Sequence, residues 1–169
     1  PQRIMEILEP YYRERDLHGK LVELYLKRLE RLDDPRERFD LYEEVGHLYL
    51  EELDAPAEAL EVFGAALIDR PASERTAGRV RELAEETGDW EAAAGFFSEA
   101  LEDDSLSDET AARLWQTLAQ VLDERLGQME DAEMCYRQVL QRNRANRKRW
   151  KRRTGSWRTS TGIGAERRT

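Results

Sequence analysis

Residues 42–71 read YEEVGHLYLEELDAPAEALEVFGAALIDRP. Tyr42, Val45, Gly46 and Tyr49 recur at three- and four-residue spacing, which places them on one face of a helix. Asp54-Ala55-Pro56 interrupts that helix and starts another, on Ala59, Leu60, Phe63, Ala66 and Leu67. Pro71 then prevents continuation, because proline lacks the amide hydrogen and crowds the preceding turn. The stretch is therefore helix, turn, helix, stop. Gly46 and Ala59 are small where two helix backbones must approach, and Phe63 fills the space beside that contact.

Outward from this pair, the same periodicity predicts helices over 2–15, 18–32, 35–53, 73–86, 90–101, 107–125 and 129–141. The first carries Ile4, Met5, Leu8, Tyr11 and Tyr12, with Pro10 expected to kink or shorten it. Asp34 is a predicted N-cap with Pro35 at the first helical position and Glu37 in the first turn. Gly88-Asp89 marks a helix end, and Ser107 caps the next start. Gly78 weakens the helix over 73–86 by about 1 kcal/mol relative to alanine. No period-2 alternation is long enough for a strand.

The second helices superimpose. Their aromatic position is Tyr25, Phe63, Phe97 and Tyr136, and the leucine four residues on is Leu29, Leu67, Leu101 and Leu140. Four residues before the aromatic stand Leu21, Ala59, Ala93 and Ala132. The spacings are 63 − 25 = 38, 97 − 63 = 34 and 136 − 97 = 39. The first helices align through Met5, Tyr42 and Trp115, with Gly46 and Ala119 at the small position. This pattern over residues 2–142 resembles the tetratricopeptide repeat, whose signature has a large residue, a small residue and two aromatics closed by proline at a period near 34. The resemblance implies an all-α chain, a right-handed α-solenoid of about four antiparallel helix pairs. Two departures stand out. Asp54 and Gly127 follow Tyr49 and Leu122 by five residues where the family has four, so longer first helices are expected in the second and fourth pairs. HEAT or armadillo arrays are the alternative architecture, and they account less well for the Ala-x3-Phe positions.

Charge divides the chain. Residues 142–169 hold 11 Lys+Arg and one acid, net +10, so the rest of the −9 chain carries −19. The expected division is a repeat array over 1–142 and a basic tail over 143–169. Arg147-Lys148-Arg149-Trp150-Lys151-Arg152-Arg153 admits three readings. One is a nucleic-acid or acidic-lipid patch with Trp150 and Trp157 for stacking. Another is a disordered tail. The third is a shifted reading frame near 146–148, because GAA GCG CTG GAA GCG, a repeat-like Glu-Ala-Leu-Glu-Ala, read one base late encodes the Lys-Arg-Trp-Lys-Arg of residues 148–152. The chain opens on Pro1, which suggests a piece of a longer protein. Its sole cysteine, Cys135, precludes an internal disulfide and points to a reducing compartment, cytoplasmic by default. No apolar run is long enough to span a membrane.

Catalytic chemistry has no candidate. His18 and His47 sit on different elements, no Cys/His spacing suits a metal, and Cys135 beside Tyr136 reads as core. The carboxylates lie on solvated faces, often with Lys or Arg three or four residues away. No cofactor is implied. By the resemblance, the first helices line a concave groove, and the matching positions are Asp40, Glu43 and His47, then Glu82 and Glu85, then Gln116, Gln120 and Asp123. Polar and mostly acidic, they suit a basic or amide-rich segment of a protein partner. The expectation is a non-enzymatic interaction scaffold, with nucleic-acid or membrane binding through the tail as the alternative.

Overall fold

A computed structural model describes residues 2–154, and every regular element in that range is helical. The helices are α1 (Gln2–Glu14), α2 (His18–Leu29), α3 (Pro35–Glu51), α4 (Pro56–Asp69), α5 (Glu74–Thr87), α6 (Trp90–Ala100), α7 (Asp108–Gln120) and α8 (Met129–Thr154). A π-helical turn over Val121–Arg125 prolongs α7. Each helix packs on the next in sequence, and α4 also packs on α6. No described helix is long and apolar enough to cross a membrane.

Local signals set the helix starts. The Asp34 carboxylate accepts from the Arg36 amide at 3.0 Å, with Pro35 opening α3. Ser107 accepts from Thr110 at 3.1 Å, and Asp89 from Ala92 at 3.0 Å. Ser73 does the same for α5, accepting from Thr76. Each side chain satisfies an amide that a helix start leaves without a partner. Pro10 lies inside α1 without ending it. It is exposed, and it removes one bond to the Glu6 carbonyl and crowds that carbonyl.

Helix ends explain the unequal spacing. A left-handed residue follows each first helix: Asp16 (φ 53°), Asp54 (φ 48°), Gly88 (φ 76°) and Gly127 (φ 65°). Their separations, 54 − 16 = 38, 88 − 54 = 34 and 127 − 88 = 39, repeat those of the aromatics. In the longer pairs the extra residue widens the last turn. Leu53 donates to the Leu48 carbonyl and Leu126 to that of Val121, both five residues back. Ala55 and Gln128 then bond Tyr49 and Leu122 six residues back, each at 2.8 Å. A π-type turn absorbs one inserted residue without breaking the helix. As expected, α3 and the extended α7 are the longer first helices, with 17 and 13 + 5 = 18 residues against 13 in α1 and 14 in α5.

Two apolar clusters hold the helices together. Leu21, Val22, Tyr25 and Leu29 of α2 meet Leu41 and Val45 of α3. Leu60, Phe63 and Leu67 of α4 join Val80, Leu83 and Ala84 of α5, and the cluster continues through Phe97 to Leu114 and Leu118. Gly46 is needed for close approach, since a Cβ there would lie 2.5 Å from the Phe63 ring. Gly64 plays the same part against Phe96 and brings α4 against α6. At the next junction the residues matching Gly64 and Phe96 are Ser98 and Cys135. They line an open, largely apolar cleft of about 460 Å³ between α6, α7 and α8.

The last helix departs from the sequence reading. It was expected to end at about Gln141, but α8 continues to Thr154. No glycine or proline stands between Gln128 and Thr154, and the arginines, lysines, asparagines and alanine there are compatible with a helix. Residues 155–169, which include Trp157, lie outside the described range, as does Pro1.

Candidate functional site

The candidate surface is built on α3, α5 and the extended α7. Side chains link these helices directly. Glu43 of α3 accepts from the Thr76 hydroxyl of α5 at 2.9 Å and pairs with Arg75. Arg113 of α7 pairs with Glu74 of α5 and donates to the Ala72 carbonyl at 3.2 Å. Glu85 of α5 pairs with Arg125 at 2.7 Å, and that guanidinium lies 4.6 Å from the centre of the Trp90 ring. The first helices are thus tied side by side by alternating arginine and carboxylate.

These ties sort the eight residues proposed from sequence. Glu43 is 8 % exposed with both oxygens engaged, so it binds α3 to α5 rather than presenting a free charge. Glu82 holds the same place in α5, since 43 − 34 = 82 − 73 = 9 residues after each cap. It stays exposed and pairs with Arg79 on its own helix at 3.2 Å. Glu85 is exposed but shares Arg125. Gln120 is half-buried in a small depression with Arg81, Trp90, Thr117 and Arg125, near that same pair. His47 stands edge-on to Phe63, ring centroids 5.7 Å apart, with Glu51 at 3.6 Å. Asp40, Gln116 and Asp123 are exposed. The structure therefore brings Glu85 and Gln120 together around Arg125, commits Glu43 to the scaffold, and leaves Asp40, Glu82, Gln116 and Asp123 outward.

Sequence reasoning missed Arg75, Arg113 and Arg125, which set the electrostatics of this face. Their signal was available as arginines on first helices facing acids a full repeat away. His18 lies against α3's end with Glu52 at 3.4 Å. At the other end of the chain, Arg13 pairs with Glu44, and the Tyr25 hydroxyl donates to Glu9 at 2.8 Å. Burial, followed by the Glu9 bond, holds the Tyr25 hydroxyl above its usual value. Burial and then the nearby Asp131 charge raise the Cys135 thiol, which disfavours the reactive thiolate. Among the described residues, no group of three His, Cys, Asp or Glu side chains converges as metal ligands would.

Compared with protein-family models and with curated proteins, the chain returns no match.

Proposed function

We propose that this chain is a non-enzymatic protein-interaction scaffold, a tetratricopeptide-type, right-handed solenoid of about four antiparallel helix pairs. In this reading the first helices line its concave face, and that face holds a basic or amide-rich segment of a partner. The observation that carries the proposal is the row of ties that links α3 to α5 and α5 to α7, with Asp40, Glu82, Gln116 and Asp123 exposed beside them. A fixed frame with outward acidic and amide groups suits recognition, because little ordering is left to be done on binding.

The test uses Asp40→Lys, Glu82→Lys and Asp123→Lys combined, and leaves Glu43 intact because its loss would perturb the frame. A labelled Lys/Arg-rich peptide is titrated against the wild-type chain and the triple variant by fluorescence anisotropy. Exposed pairs contribute about 0.2–1 kcal/mol each, so losing three weakens binding by about threefold to about a hundredfold. Equal affinity for both proteins refutes the assignment. A second reading draws on α8, whose helical backbone continues through the basic stretch to Thr154. It makes that helix a nucleic-acid or acidic-membrane binder. Deleting 143–169 would then abolish a salt-sensitive interaction with DNA or anionic vesicles while leaving peptide binding intact.

A further inference from the structure

We infer that the cleft between α6, α7 and α8 binds a small aromatic amine of two rings. The chain itself shows what belongs between consecutive second helices. Val62, Phe96 and Cys135 each stand one residue before a second-helix aromatic, and Leu26, Gly64 and Ser98 one residue after. Between α2 and α4, Leu26 and Val62 occupy this place as members of one apolar cluster. Between α4 and α6, the Phe96 ring covers Gly64 and the two helices pack directly. Between α6 and α8 the pair is Ser98 and Cys135, and these two helices do not pack on one another along their described residues. The place that a leucine–valine pair or a phenyl ring fills at the earlier junctions is here an opening of about 460 Å³. Its three walls all lie within the described residues.

The lining sets the class of occupant. Trp115, Leu118 and Leu122 of α7 supply most of the apolar wall, and Met134 of α8, 60 % exposed, adds a flexible thioether. Indole and thioether both favour contact with aromatic rings. A closed apolar cavity of about 150 Å³ holds benzene, so an opening of about 460 Å³ has room for two rings. Asp131 is the one acidic or basic side chain of the lining, and it forms no ion pair with another described residue. Arg142, by contrast, is committed to Gln138, donating to its side-chain oxygen at 2.7 Å. An unpaired carboxylate beside an apolar wall suits a ligand that carries a positive charge on an aromatic body. The inference is independent of what the first-helix face binds.

The full chain, labelled with nitrogen-15, is titrated with 2-naphthylmethylamine and, separately, with 2-naphthoate, which has the same rings and the opposite charge. The amine should give saturable shifts at the Ser98 and Cys135 amides and at the Trp115 indole N–H, which has no acceptor within the chain. A dissociation constant of about 1 mM or below is expected for a ligand of this size, and the carboxylate should bind more weakly. Ser98→Gly combined with Cys135→Phe rebuilds the Gly64–Phe96 pairing and should abolish the shifts, with circular dichroism checking that helicity is retained. If that variant does not fold, Asp131→Asn serves in its place. Asp131 is exposed, and losing its charge should weaken the amine by about 1.5- to 5-fold. No saturable shift up to about 10 mM amine would overturn the proposal, as would equal binding by the filled variant. Naphthoate binding as tightly as the amine, or amine affinity unchanged in Asp131→Asn, would overturn the assignment of an amine.

Discussion

Gly46→Ala and Gly78→Ala make the same chemical change within two first helices, and their surroundings give them opposite signs. Alanine is favoured over glycine inside a helix by about 0.8–1.0 kcal/mol. At Gly78 nothing lies within 4 Å of an added Cβ, so that gain is realised in full. At Gly46 the Cβ would fall 2.5 Å from Phe63 Cε2 and 2.6 Å from Cζ. Carbon atoms prefer about 3.5–4.0 Å, so the overlap is about 1 Å. Phe63 is almost wholly buried, with His47 edge-on to its ring, and has little room to yield. Overpacking of this kind costs about 1–3 kcal/mol. Gly46→Ala therefore comes out between neutral and about 2 kcal/mol destabilising, and the difference between the variants isolates the packing cost of about 1–3 kcal/mol. At this chain length 1 kcal/mol moves the melting temperature by about 2–4 °C. Thermal and urea denaturation of both variants decide the matter. If Gly46→Ala stabilised as much as Gly78→Ala, the close approach of α3 and Phe63 would be wrong.

Ala59→Leu inserts three carbons at a fully buried position of α4 and should destabilise by about 1–3 kcal/mol in urea titration; a neutral result would contradict the repeat alignment. Glu43→Ala removes the acceptor of the buried Thr76 hydroxyl and the partner of Arg75, at a cost of about 1–3 kcal/mol. Adding Thr76→Val should recover part of that loss, and strict additivity would deny the tie. The hydroxyls of Tyr25, Tyr42 and Tyr49 are all raised above 10.0, chiefly by burial. The unfolded chain therefore loses these protons first, so their contribution is complete below about pH 10 and is lost as pH climbs through the folded values. The denaturation midpoint should fall on the alkaline side and fall less in Tyr25→Phe; a flat profile between about pH 9 and 12 would count against the burial of these rings.

Features encoded within a few residues were legible in the sequence. Asp34, Ser107 and Gly88 announce helix boundaries because capping involves only neighbouring amides and one left-handed residue. The inserted residue before Asp54 and Gly127 was countable, but its form as a widened π-type turn was not. Features that depend on the next pair were hidden. Gly64 looks like an ordinary helix glycine until Phe96 is placed over it. Glu43 looks like a surface acid until the start of α5 covers it with Thr76 and Arg75. The end of α8 was misplaced for a different reason. The change of charge near residue 142 drew the boundary, although charge reversal does not end a helix that has neither glycine nor proline.

The surface assignment is tested most directly by titrating the isotopically labelled chain with a Lys/Arg-rich peptide and following backbone amide resonances. The account predicts shifts confined to the faces of α3, α5 and α7 that carry Asp40, Glu82, Gln116 and Asp123. Shifts centred on α2, α4 and α6, or none at saturating peptide, would contradict it.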